Sequence, residues 1–290
     1  MNKYLTLFLL LNVLLACTNE TDQKLEEDLT ETEDISVERQ KKAQNVFQTV
    51  PSPMETASIF HQAGANYNAE VLNPIQNVGN YLTSYQRAIN FGVYGADLSY
   101  VNIFDQSQDA MFYMNCVKTL ADDLGITSAF DAETMERLEE NINNRDSLMR
   151  LTNDAFWDAD AYLKENGQDN LSALIVVGGW IEGLYIGAKT LNRDNPEEEL
   201  MRKIAEQKFS LASLMDLLAT YEDEDVKKIA LRLENLQSLY AKVEESEEKV
   251  VVDNSNKVAT IEGGPALTYG KETIFEIVDE IDKIRHEVIQ

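Results

Sequence analysis

Positive charge is what this chain has least of. Its 25 Lys and Arg stand against 51 Asp and Glu, a formal net charge of −26. That balance excludes nucleic-acid binding by phosphate neutralisation and disfavours attraction of a basic patch to anionic lipid head groups. Histidine is nearly absent, with only His61 and His286, so neither a His-rich metal site nor a His-based nucleophilic relay is expected. Asp282 and His286 are four apart but lack a second His or Cys. Asp154, Asp158 and Asp160 lack the glycine and the bidentate Glu of a calcium loop. The acidic run Glu222 to Asp225 reads as a solvated helix junction. Gly-x-Ser-x-Gly, His-Glu-x-x-His and Cys-x-x-Cys are missing altogether. Gly264 to Thr273 imitates a phosphate loop, but five residues separate Gly264 from Gly270, and Glu272 stands where a magnesium-holding Ser or Thr belongs. No cofactor and no metal are therefore expected.

The chain has two cysteines, Cys17 and Cys116. Cys116 lies among apolar residues at helical spacing and reads as a small core residue. With Cys17 in a separate N-terminal segment, a disulfide framework is excluded. Lys3 followed by the apolar run Leu5 to Leu15 has the length and position of a cleaved signal peptide, being too short to span a bilayer. Leu14-Leu15-Ala16-Cys17 then resembles a bacterial lipoprotein lipobox. The resemblance implies a signal peptide over residues 1–16 and lipidation of Cys17, and so a chain held at a membrane of the cell envelope, the outer membrane being favoured and the face left open. Several acyl chains on one cysteine anchor stably where one does not. Residues 17–35 combine this cysteine with an acidic, Thr-rich stretch that reads as a disordered tether, with a reach of about 25 Å.

Residues 36–290 read as an all-α domain, a bundle or array of antiparallel helix hairpins with one small β-hairpin before the C-terminal helix. Apolar residues recur at steps of three and four over 131–164, 197–218, 226–243 and 272–289. Asp131 and Asn195 are expected N-caps, and Gly125 and Gly167 expected helix ends. Lys249 to Asp253 and Lys257 to Ile261, β-branched on both sides of Asn254-Ser255-Asn256, predict the hairpin, followed by a break at Gly263-Gly264-Pro265.

Residues 171–191 are the most apolar stretch of the body, but Glu182 interrupts them, so a membrane span is not expected. Gly179, Gly183 and Gly187 recur every four residues, and Gly92 and Gly95 offer a second smooth surface. Glycines lower helix stability by roughly 1 kcal/mol each relative to Ala, so tight packing between these two helices is expected to offset them. Gly178 to Tyr185 and Tyr94 to Leu98, with the hairpin, are similar to stretches in all-helical envelope lipoproteins of the Bacteroidota. That resemblance implies an all-helical envelope lipoprotein without an assigned activity, and it transfers no site residue.

Asp97 and Glu182 are the candidate functional carboxylates, with Tyr94, Tyr100, Trp180 and Tyr185 as candidate lining of an aromatic-polar cleft. Three readings follow. The leading one is a non-enzymatic binding or scaffold role toward another envelope protein. The second is solute binding in that cleft. The third is acid–base catalysis by the two carboxylates, whose pKa values burial would raise.

Overall fold

A computed structural model gives the fold. It describes residues 37–46, 48–62, 64, 66–142, 144–247, 251–253, 260–262 and 265–290, with backbone alone for residues 129, 247, 251–253, 260–262, 265 and 266. The expected signal peptide, Cys17 and the acidic tether lie outside the described residues. The chain divides into two compact units, Met1–Gln44 and Asn45–Gln290. Of the first, residues 37–44 are described and are helical.

The second unit is an array of α-helices: α1 (Pro53–Gln62), α2 (Ser84–Ile103), α3 (Ser107–Leu124), α4 (Ala132–Glu140), α5 (Arg145–Glu165), α6 (Asp169–Lys189), α7 (Glu198–Leu218), α8 (Glu224–Tyr240) and α9 (Lys271–Val288). Local chemistry sets their ends. Thr83 and Gln86 form a reciprocal capping box at the start of α2. The Asp131 carboxylate accepts from the Thr134 N–H, as expected of a cap. Gly125 and Gly167 close α3 and α5 at φ values of 74° and 68°, a region that a side chain disfavours.

Two expectations are corrected. The single helix read over 131–164 is two, because Asn144 offers its side chain to the Ser147 N–H and starts α5 afresh. Asn195 does not cap α7. That helix begins at Glu198, with Glu197 in the cap position, and its acidic first turn faces the positive dipole end.

Helices α2 and α6 form the centre. Around α6 pack α1, α2, α5, α7 and α9, and α2 is further covered by α3. From Val177 to Ala188 every residue of α6 is buried, as suits a helix apolar on all sides. Among the described residues α6 is the one helix long and apolar enough to cross a membrane, and 89% of that window is buried inside the body. The crossing of α2 and α6 is a backbone contact. A Cβ on Gly92 would lie 2.0 Å from the Ile175 carbonyl oxygen, and one on Gly178 would lie 1.9 Å from that of Ile89. The regular stripe of Gly179, Gly183 and Gly187 serves mainly another partner: it faces Pro53, Thr56 and Phe60 of α1.

The hairpin is present and longer than read. Strands β2 (Val251–Asp253) and β3 (Thr260–Glu262) pair antiparallel, with Val252 opposite Ile261. Strands β1 (Glu244–Glu247) and β4 (Pro265–Thr268) form a second antiparallel pair, in a register offset by one residue from the first. Pro265, read as part of a break, begins β4. A terminal strand position tolerates its missing N–H.

Candidate functional site

Asp97 on α2 and Glu182 on α6 come together in the core, both fully buried. The last helix brings to them a residue that sequence reading passed over. Arg285, on the apolar face of α9, donates from Nε to Glu182 Oε2 at 3.0 Å and from Nη2 to Glu182 Oε1 at 2.9 Å. This bidentate geometry is the strong form of the pair. Arg285 Nη2 also donates to the Val71 carbonyl at 3.1 Å, and its guanidinium lies 4.4 Å from the Tyr185 ring centroid.

Burial first, and then the charge of Glu182, holds the Asp97 carboxyl well above its usual range, while Arg285 and the Asn73 N–H pull partly the other way. Both causes favour the neutral form of the Asp97 carboxyl, beside a Glu182 carboxylate that is paired with Arg285.

The cluster holds down an irregular segment. Val71 ends one short 3₁₀ turn and Ile75 begins another; between them Leu72 and Asn73 are buried while Pro74 is exposed. Buried backbone groups must be paired. The Val71 carbonyl accepts from Arg285, and the Asn73 N–H donates to Asp97 Oδ2 at 3.2 Å. The Asn73 carbonyl accepts from Tyr113 at 3.1 Å, and the Pro74 carbonyl from Tyr94 at 2.9 Å. The Asn73 side-chain amide donates to Tyr81, whose hydroxyl donates in turn to the Ile289 carbonyl. Tyr100 acts likewise one step upstream. Its hydroxyl accepts from the Asn68 N–H at 2.9 Å and donates to the Asn66 carbonyl.

Among the described residues the six do not line one cleft. Asp97, Glu182 and Tyr185 belong to the Arg285 cluster, and Tyr94 and Tyr100 lie along the strap. Trp180 lies elsewhere: its indole N–H donates to Gln207 Oε1 at 3.0 Å, and it lines a cavity of about 310 Å³ together with Trp157, Phe156, Gly92, Gly95 and Thr152. Positions two apart on a helix are turned about 200° from each other, so Gly95 faces the cavity while Asp97 faces Arg285, and Trp180 and Glu182 part in the same way.

Cys116 is buried, and burial above all pushes its thiol up to about 12, which leaves little nucleophilic thiolate at neutral pH. Asp282 pairs with Lys189 at 2.8 Å and Asp160 with Lys164 at 2.6 Å. Among the described residues no group of three or more His, Cys, Asp or Glu is placed to hold a metal ion.

The raised Asp97 value gives a stability prediction. Above the unfolded value near 3.8, the unfolded chain loses this proton while the folded chain keeps it. Wild-type stability relative to the Asp97→Asn variant is therefore highest below that pH. It falls as pH rises, by up to about 1.4 kcal/mol per unit, until the folded-state carboxyl ionises. Urea titrations of both proteins across mildly acid to neutral pH check this, and a difference independent of pH would refute it.

No protein-family model, no curated protein and no solved structure matches this chain.

Proposed function

We propose that this chain is an envelope-anchored lipoprotein with a non-enzymatic binding or scaffold role, held at the membrane through lipid on Cys17. The observation that carries the reading is the use to which Asp97 and Glu182 are put. Both are fully buried, and both are engaged in pinning residues 71–74 and α9. Neither is presented to an outside substrate, and that disfavours acid–base catalysis at this pair. What remains for function is the exterior of a rigid helical body and the cavity beside Trp180. Localisation at the envelope, with the outer membrane favoured, rests on Leu14 to Cys17, and the partner would be another envelope protein or a solute, not a nucleic acid.

Cys17→Ala is expected to move the protein from the membrane pellet to the soluble fraction of its host, while its far-UV circular dichroism stays that of the parent. A variant that still sediments with membranes in full would remove the lipid anchor from the proposal. Native mass spectrometry of the gently extracted protein tests the role: a second polypeptide at fixed stoichiometry supports the scaffold. A small mass lost on activation supports the second reading, solute binding, which the cavity specifically favours.

A further inference from the structure

The cavity beside Trp180 is built from three kinds of surface. Its floor is helix backbone at Gly92, Gly95 and Gly179. Its walls carry aromatic rings, Phe156 with Trp157 and Trp180, and these are both tryptophans of the chain. Its polar groups are few and mostly engaged. Glu55 accepts from the Ser52 N–H at 2.8 Å, Asp160 from Lys164 and from the Ser172 hydroxyl, and the Ser99 hydroxyl donates to the Gly95 carbonyl at 2.8 Å. Half-buried Asn153 also borders the cavity, and among the buried polar side chains of the lining the exception is Thr152. It is 2% exposed, it lines the cavity, and its Oγ1 has no hydrogen-bond partner. Threonine in a helix ordinarily turns its hydroxyl back to a carbonyl of the preceding turn; here it does not.

These features specify a ligand class. No Lys or Arg lines the cavity, and with two carboxylates in the lining an anion would meet repulsion with no compensating partner. Asp160 is paired with Lys164 and Glu55 is exposed to solvent, so a cation gains little from either. Smooth backbone below and rings at the sides suit a flat, apolar body. A volume of about 310 Å³ is at the small end for ligand pockets and fits one or two rings. We infer that this cavity binds a small, neutral, ring-bearing molecule that places a single hydrogen-bonding group against Thr152. The inference rests on the solute-binding reading of the proposed function and names its ligand class.

Both tryptophans border the cavity, Trp180 buried and Trp157 55% exposed, so a bound quencher acts on both indoles while free quencher reaches Trp157 alone and adds a linear background. The full chain in phosphatidylcholine vesicles, which contain no tryptophan, is titrated with three nitroaromatic quenchers of one shape. These are 4-nitrobenzyl alcohol (neutral with a hydroxyl), 4-nitrotoluene (neutral without one) and 4-nitrobenzoate (anionic). Saturable quenching is expected, with the alcohol preferred to nitrotoluene by about fivefold, the worth of one hydrogen bond, and nitrobenzoate binding weakest. Thr152→Val keeps the shape and is expected to erase the preference for the alcohol. Val176→Phe, at a half-buried position on the lining, is expected to abolish saturation for all three while the circular dichroism is kept. Linear quenching by every probe, tightest binding by nitrobenzoate, or an alcohol preference that survives Thr152→Val would each overturn the inference. Membrane pelleting of the same samples is independent of these results, so envelope anchoring stands or falls separately.

Discussion

Arg285→Met is expected to destabilise the protein by about 3–5 kcal/mol, the usual range when one partner of a buried ion pair is removed. Methionine retains most of the apolar stem, so lost packing is a minor part. The loss comes from Glu182, left charged and buried without its partner, and from the Val71 carbonyl, left without its donor. Adding Glu182→Leu to Arg285→Met is expected to recover a large share, because replacing both ions with apolar groups removes the unpaired charge. Urea unfolding of the two single variants and the double variant measures the coupling. An Arg285→Met protein within 1 kcal/mol of wild type would mean that the pair does not hold the core.

Gly92→Ala and Gly178→Ala are each expected to cost more than about 3 kcal/mol, the upper part of the range for overpacking. Both new methyl groups would meet carbonyl oxygens near 2 Å, and a carbonyl within a helix cannot turn aside. Helices α2 and α6 would have to separate along their whole contact. Gly183→Ala is the control. There the nearest atom is the Thr56 Cγ2, at 2.9 Å, which belongs to a side chain and can move, and alanine regains up to about 1 kcal/mol of helix propensity. Near-neutral behaviour is expected. Thermal unfolding of the three variants decides the matter: equal losses at all three would show that close approach of backbones is not what the glycines at the α2–α6 crossing provide.

The helices were legible because each stripe of apolar residues buries one face, and Ile274, Ile277, Ile281, Ile284 and Val288 of α9 are buried as their spacing requires. Legibility failed where local chemistry overrode periodicity, as at Asn144, whose side chain starts a helix inside what reads as one continuous stripe. The site was half legible. A carboxylate in the middle of the most apolar helix marks Glu182 by itself, and such a group calls for a cation. Arg285 answers that need, and the available signal was its position four after Ile281 and three before Val288, a charge set into an apolar face. Nothing local marks Asn73, because residues 66–83 have no period and its backbone partners, Asp97 and Tyr113, lie 24 and 40 positions away. Grouping Trp180 with Glu182 followed closeness in sequence where helix geometry sets them apart.

The bidentate pair joins residues 103 positions apart, and this separation bears on the order of synthesis. Both carboxylates and the strap at 71–74 leave the ribosome long before Arg285 does. Until it arrives, Glu182 has no cation and the Val71 carbonyl lacks its donor, so closing the centre of the body around them costs more. The last bond of the cluster is thereby made only when nearly all of α9 is in place, and a chain broken off before Arg285 is expected to be less stable than the full chain and cut faster by proteases.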